Sequence, residues 1–155
     1  PTPAPHLSTV PVWIDRLCLV CARHHPLAGS PSLSLAELCH HDAVLPGSMT
    51  FTRRLVESRF AAAGLGLPVA ISTNYLETLK MMTAIGLGWS LLPESMSADD
   101  LHEMAVDHPP ILRPLGYLVH RNRTLSNAAR AMLEMFDDVR TAEARNWQLP
   151  GNTPA

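Results

Sequence analysis

Apolar residues along this chain recur in two rhythms, and their order predicts strands alternating with helices. Between Tyr75 and Pro93, Leu76, Leu79, Met82 and Ile85 fall three residues apart, the mark of one buried helix face. Asn74, followed three residues later by Glu77, predicts a capping pair that starts this helix. Gly86 is placed to end it with a positive φ, and Gly88 permits a tight return. Residues 89–92 are short and apolar enough for a buried strand that Pro93 stops. Upstream, the apolar run 10–22 predicts a strand from about Ile14, and residues 23–29 turn away from it. Ser34 and Glu37 have capping-box spacing for a short helix through Leu38. Residues 43–45 read as a strand, a helix follows from about Thr52 with Leu55, Val56, Phe60 and Ala63 on one face, and 68–72 read as another strand. Residues 95–108 are weakly periodic and predict a short helix with a loop. A strand over 111–121 and a final helix capped by Ser126, with Ala129, Met132, Leu133, Phe136 and Val139 on one face, complete the pattern.

The middle of the chain, 42–93, is therefore strand–helix–strand–helix–strand, which implies a parallel sheet with helices on its faces. Its two hydroxyl-bearing turns, 46–52 and 72–75, are expected to open into one crevice, since ligands bind beyond the carboxyl ends of parallel strands. The composition fits a folded chain: 46% hydrophobic and 17% charged residues exclude a long disordered segment. A net charge of −2 gives no footprint for nucleic acid over the whole chain. No apolar run approaches the ~20 residues that cross a bilayer, and the first residues lack a signal peptide's basic start and apolar centre. Three cysteines favour free thiols in a reducing compartment, so a cytoplasmic location is expected. A chain that opens on proline is expected to be an excised or processed piece.

Several stretches together resemble the effector-binding domain of LysR-type transcriptional regulators. Leu17-Cys-Leu-Val with Arg23-His-His-Pro-Leu-Ala resembles that family's strand and His-Pro-Leu-Ala turn. Leu33-Ser-Leu-Ala-Glu-Leu resembles its next short helix, and Arg53-Arg-Leu-Val-Glu-Ser-Arg-Phe-Ala-Ala-Ala-Gly and the glycine-bearing run to Pro93 continue in the family's order. Leu115-Gly-Tyr-Leu-Val-His-Arg and Leu125-Ser-Asn-Ala-Ala-Arg-Ala-Met-Leu resemble its return strand and last helix. The resemblance implies an α/β fold like the type-2 periplasmic binding proteins, with one complete parallel-sheet lobe plus the returning strands and helix of a second lobe. Residues 23–110 would form lobe II, 10–22 and 111–145 the remnant of lobe I with the hinge strands, and 1–9 and 146–155 flexible ends. The family's helix-turn-helix and the first part of lobe I have no counterpart here, so DNA contact is expected only through a segment absent from this chain.

The implied function is effector sensing: a small metabolite bound between lobes shifts the protein between conformations. A solute-binding protein of a transport system with the same fold is the alternative, and an enzyme is not expected. By resemblance, effector contact carries over to Ser48 or Thr50 and to Ser72 or Thr73, with Thr52 and Asn74 in the same two turns. The competing account is that these residues simply cap helices, which stabilises by ~0.5–2 kcal/mol without a ligand. Arg53 and Arg54 oppose the helix dipole in a first turn, which an anionic effector would relieve; the simpler account pairs Arg53 with Glu57. Cys18 and Cys21 have C-x-x-C spacing, but within a strand they point to opposite faces, so no metal site is expected. No cofactor is expected either, and no spacing assembles Asp15, Ser90 and His120 into a triad. A homodimer or higher homo-oligomer is the expected partner, because the face of the 129–139 helix would be left exposed.

Overall fold

In the computed structural model, which describes residues 4–146, the chain divides into two compact units. One is Arg16–Arg113; the other combines the chain up to Asp15 with the chain from Pro114 onward. Strand β1 (Leu7–Ala22) contributes to both. It starts well before the expected Ile14, because the proline-spaced run that precedes Ile14 pairs with a later strand.

Within Arg16–Arg113 the elements follow in the order α1 (Leu35–Leu38), β2 (Ala43–Leu45), α2 (Phe51–Ala62), β3 (Val69–Ser72), α3 (Leu76–Ala84), β4 (Ser90–Pro93) and β5 (Leu101–Glu103). Short 3-10 turns occupy Pro26–Gly29 and Glu94–Met96. Strands β2 and β3 pair in parallel. A parallel bridge between Ala43 and Trp89 joins them to the segment entering β4, through Val44 N–H on the Trp89 carbonyl at 2.8 Å and Trp89 N–H on the Asp42 carbonyl at 3.0 Å. Strand β4 then pairs antiparallel with β1 (Cys18 opposite Leu92), and β1 pairs antiparallel with β5 (Val20 opposite Glu103). The sheet thus runs β3-β2-β4-β1-β5, with β2, β3, β4 and β5 sharing one direction and β1 opposing them. The expected parallel middle is present, and the long first strand is inserted into it.

Trp89 is fully buried on one face of this sheet. Its ring stacks on Phe60 with centroids 5.8 Å apart, among Leu19, Leu45, Val56 and Leu91. The indole N–H donates to the carbonyls of Leu38 and His41, each at 3.1 Å, so the polar edge of a buried ring is satisfied. Cys21 lies on this face, while Cys18 lies on the other with Val20, Val44 and Leu79 of α3. The two thiols therefore face opposite ways, as strand alternation requires. Burial pushes Cys18 up to about 12 and Cys21 to about 11, which keeps both protonated and unreactive at neutral pH.

Local signals explain most of the elements. Ser34 Oγ accepts from Glu37 N–H and the Glu37 carboxylate accepts from Ser34 N–H at 2.7 Å, the reciprocal cap expected for α1. These bonds hold the Glu37 carboxyl below its ordinary range. His25 Nδ1 accepts from Leu27 N–H in the turn after β1, and burial with His41 and His24 nearby lowers its pKa. Gly86 has φ +88 at the end of α3. At Gly88 a β-carbon would sit 2.3 Å from the Asp42 carbonyl oxygen, so only glycine lets the chain approach β2 there.

Three expectations are corrected. Leu79 is buried in α3, but Leu76 and Ile85 are exposed, and Thr83 takes a buried place instead. Steps of three residues drift about 60° backwards around a helix, so the two ends of the series lie on opposite sides. Asn74 does not cap α3: Tyr75 occupies the cap position without a side-chain bond, and Asn74 is engaged elsewhere. The helix expected within 95–108 is strand β5, because Leu101 buries its side chain in the second core while its backbone pairs with Ala22.

In the other unit, β1 pairs with β6 (Ile111–His120), with Arg121 N–H on the His6 carbonyl at 2.9 Å. Helix α4 (Asn127–Asn146) follows, its start marked by Ser126 Oγ accepting from Ala129 N–H at 3.2 Å. Phe136 stacks on Tyr117 of β6 at 5.7 Å, whereas Met132, Met135 and Val139 are exposed. The expected loose tail, beyond Asn146, lies outside the described residues.

Because Trp89 fills one core face and caps two carbonyls, Trp89→Ala should cost about 3–5 kcal/mol. Urea unfolding followed by circular dichroism checks this; an unchanged midpoint would show that the indole is not the centre of the core.

Candidate functional site

The turn after β2 and the turn after β3 lie at the same end of the sheet, because the two strands are parallel. They also touch. Gly47 N–H donates to Asn74 Oδ1 at 3.0 Å, and Thr73 N–H donates to the Leu45 carbonyl at 3.3 Å. Asn74 is thus a brace between the turns, which explains why it is not available to cap α3. The two turns stand side by side at one end of the sheet.

The six predicted site residues divide by what their side chains already do. Ser48 and Ser72 are exposed at the two turns. Thr50 caps α2: its hydroxyl accepts from Arg53 N–H at 3.2 Å and donates to the Gly47 carbonyl at 2.8 Å. Here the capping account describes the contacts. Thr52 is buried and accepts from Arg113 Nη1 at 3.0 Å. Thr73 Oγ1 accepts weakly from Tyr75 N–H at 3.4 Å. Asn74 is exposed apart from its bond to Gly47.

Three arginines and two glutamates, Glu57 and Glu77, stand around the turns. Arg53 is tied to Glu57 at 2.8 Å, as the simpler account expected, and its guanidinium also reaches the Pro46 carbonyl at 3.4 Å. Arg54 donates to the Met49 carbonyl at 3.4 Å. Arg113, at the start of β6, brings a third guanidinium to the first turn of α2, where the helix has no acidic residue. Local sequence could not have pointed to Arg113. It lies 61 residues from Thr52, and only the return of the chain beside β1 brings it there.

A cavity of about 360 Å³ opens elsewhere at this end, between β1 and the loop after β5, lined by Arg16, Leu17, Leu19, Glu103, Val106 and Ile111 among others. Arg16 bonds Glu94 at 2.7 Å and Glu103 at 2.6 Å at its rim. Among the described residues no group of three or more His, Cys, Asp or Glu side chains is placed to hold a metal ion. Ser90, the candidate nucleophile on paper, has its hydroxyl fully buried without a hydrogen-bond partner. No helix among the described residues is long and apolar enough to cross a membrane.

With this geometry in view, residues 1–140 match the family model described as the LysR substrate binding domain, and the chain belongs to that family. It is similar to the HTH-type transcriptional regulator BbuR of Bordetella bronchiseptica, 26% identical over 98% of this chain and 48% of that protein. It is also similar to the HTH-type transcriptional regulator YeiE of Escherichia coli K12, 30% identical over 81% of this chain and 44% of that protein. The chain spans about half the length of these curated relatives. Among solved structures, the regulatory domain of Synechocystis CcmR in complex with 2-PG aligns with a TM-score of 0.77 and 24% identity, covering 90% of this chain and 70% of that one. The effector binding domain of QuiR in complex with shikimate aligns at 0.76 and 20%, covering 94% and 68%. A C-terminal domain of a probable LysR family regulator from Rhodococcus sp. RHA1 aligns at 0.73 and 26%, covering 86% and 69%. These neighbours share the α/β, type-2 periplasmic-binding-protein-like architecture expected from the sequence. The relatives are named as transcriptional regulators, not as transport components.

Since the Thr50 hydroxyl caps α2 and Ser48 is exposed, Thr50→Val should lower stability by about 1 kcal/mol and Ser48→Ala should stay within about 0.5 kcal/mol of wild type. Thermal unfolding of both variants checks the difference; equal losses would refute the assignment of the cap to Thr50.

Proposed function

We propose that this chain is the effector-sensing part of a LysR-type transcriptional regulator and that a small anion binds at the turns 46–52 and 72–75. The observation that carries this reading is the contact between the two turns, Gly47 on Asn74, at the carboxyl ends of two parallel strands. The starts of α2 and α3 bring unpaired backbone N–H groups there, which favours negative charge. Arg54 adds to that preference, while Glu57 offsets Arg53 and Glu77 opposes it in the first turn of α3. Shikimate in the QuiR structure supports a small carboxylate as the kind of molecule to try first. Ser48, Ser72 and Thr73 are the side chains that touch the ligand. Thr50, Thr52 and Asn74 hold the turns in shape, and DNA contact belongs to a helix-turn-helix outside these residues. The protein acts in the cytoplasm by changing conformation, without covalent chemistry.

Calorimetric titration with a panel of small carboxylates and phosphates, shikimate included, tests this. At least one anion should bind, and Ser48→Ala and Thr73→Val should each weaken it about tenfold, equivalent to about 1.4 kcal/mol. Neutral sugars binding as tightly as the anions, or unchanged affinity in both variants, would defeat the reading.

The exposed Met132, Met135 and Val139 fall on one side of α4. A second copy of the chain is the partner that covers this stripe. Sedimentation velocity should show dimers or larger species that Met132→Glu with Met135→Glu shifts to monomer; a wild-type monomer at high concentration would refute it.

A further inference from the structure

The turns 46–52 and 72–75 carry more than hydroxyls. Met49 is 83% exposed in the first turn, and Tyr75 is 76% exposed in the second. The residue that opens each following helix is also a large apolar one left partly in water, Phe51 in α2 and Leu76 in α3. Both turns thus repeat one pattern, an exposed apolar residue before the helix and another at its first position. Chain order keeps the two pairs apart. The bonds of Gly47 to Asn74 and of Thr73 to Leu45 bring their segments together.

Local physics does not ask for this pattern. A helix start favours Ser, Thr, Asp or Asn at the cap and acidic residues in the first turn, where free N–H groups need partners. Thr50 meets that need for α2, but Tyr75 takes the cap position of α3 without a side-chain hydrogen bond. Helix α3 forgoes a cap that serine in the same place would supply. With its ring so largely in water, Tyr75 gives little to the core in exchange. A position that breaks a local rule without a packing gain points to function.

Charge alone would hold a ligand poorly at this end, since Glu57 offsets Arg53 and Glu77 stands in the first turn of α3. Solvated ion pairs contribute little, whereas apolar surface removed from water contributes in proportion to its area. A ligand with an apolar body would cover Met49 and Tyr75 as well as meet the N–H groups. A ring and a thioether favour a flat aromatic body, because ring faces stack and methionine sulfur packs against ring edges.

We propose that the effector site at these turns takes an aromatic carboxylate, with its carboxylate at the helix starts beside Ser48 and Thr73 and its ring against Tyr75 and Met49. This rests on the anion reading above and adds the class of molecule. Hydroxylated rings of the same charge bind less well, because their hydroxyls would lose water against apolar side chains.

Titration of the ¹⁵N-labelled chain with benzoate, shikimate and benzamide, read on the amides of 47–50 and 73–76, tests this. Benzoate and shikimate share a six-membered ring and one carboxylate, and differ in flatness and hydroxyls. Benzoate should bind about tenfold more tightly than shikimate, and Tyr75→Ser with Met49→Ser should shrink that gap to about twofold or less. Tyr75→Ser alone should leave the melting temperature unchanged or raise it, because serine supplies the missing cap. Shikimate bound as tightly as benzoate, or a gap that survives the double variant, would overturn the aromatic class and leave the anion site standing. A clear fall in melting temperature for Tyr75→Ser would do the same, by showing that the ring is needed for packing. Benzamide bound as tightly as benzoate, or no carboxylate moving these amides, would overturn the anion reading and this proposal together.

Discussion

The close approach of Trp89 to β2 is the constraint on which the rest of the sheet depends. Among the described residues, the β2–β3 pair joins the strands β4, β1 and β5 by backbone pairing at the parallel bridge of Ala43 and Trp89. That bridge requires glycine at position 88, since any β-carbon would run into the Asp42 carbonyl. The same tryptophan then fills one core face through its stack on Phe60 and ties the chain after α1 through two carbonyls. Backbone pairing, core packing and loop anchoring converge on two consecutive residues. Remove the join, and the two hydroxyl-bearing turns lose their fixed place beside the other strand ends.

Direction follows from that join. With β2, β3, β4 and β5 all pointing one way, the turns that follow these strands open at one end of the sheet. At the β2 and β3 end, two helix starts meet Arg53, Arg54 and Arg113 with Glu57 and Glu77; at the β1 and β5 end, Arg16 is held by Glu94 and Glu103.

Much of this was legible in residue order. Ser34 and Glu37 announced their reciprocal cap, the short β2 and β3 were readable from apolar residues bounded by turn formers, and Gly86 and Gly88 marked the return from α3. What local patterns could not give were the tertiary choices. Asn74 sits where a cap should be, but the neighbouring turn offers Gly47 N–H, and that partner wins. The spacing of Leu76 to Ile85 suggested one face, though helical drift spreads it over half the cylinder. Strand β5 is three residues long and is defined by its pairing with β1, not by its own composition. In the site, the hydroxyls were visible and their employment was not: Thr50 is used by α2 and Thr52 by Arg113, a residue whose approach depends on the returning chain.

The central position of β1 also bears on how the chain acquires its shape during synthesis. Val20 finds its partner in Ser90, roughly seventy residues later, so the apolar run Leu17-Cys-Leu-Val-Cys-Ala leaves the ribosome long before either flanking strand exists. Closing so long a loop slows assembly, and an uncovered run of this kind is prone to stick to its like. Arg16 and Arg23 stand at its two ends, where a charge on each side discourages such pairing. The arginine that later carries two carboxylates thus guards the strand while it waits.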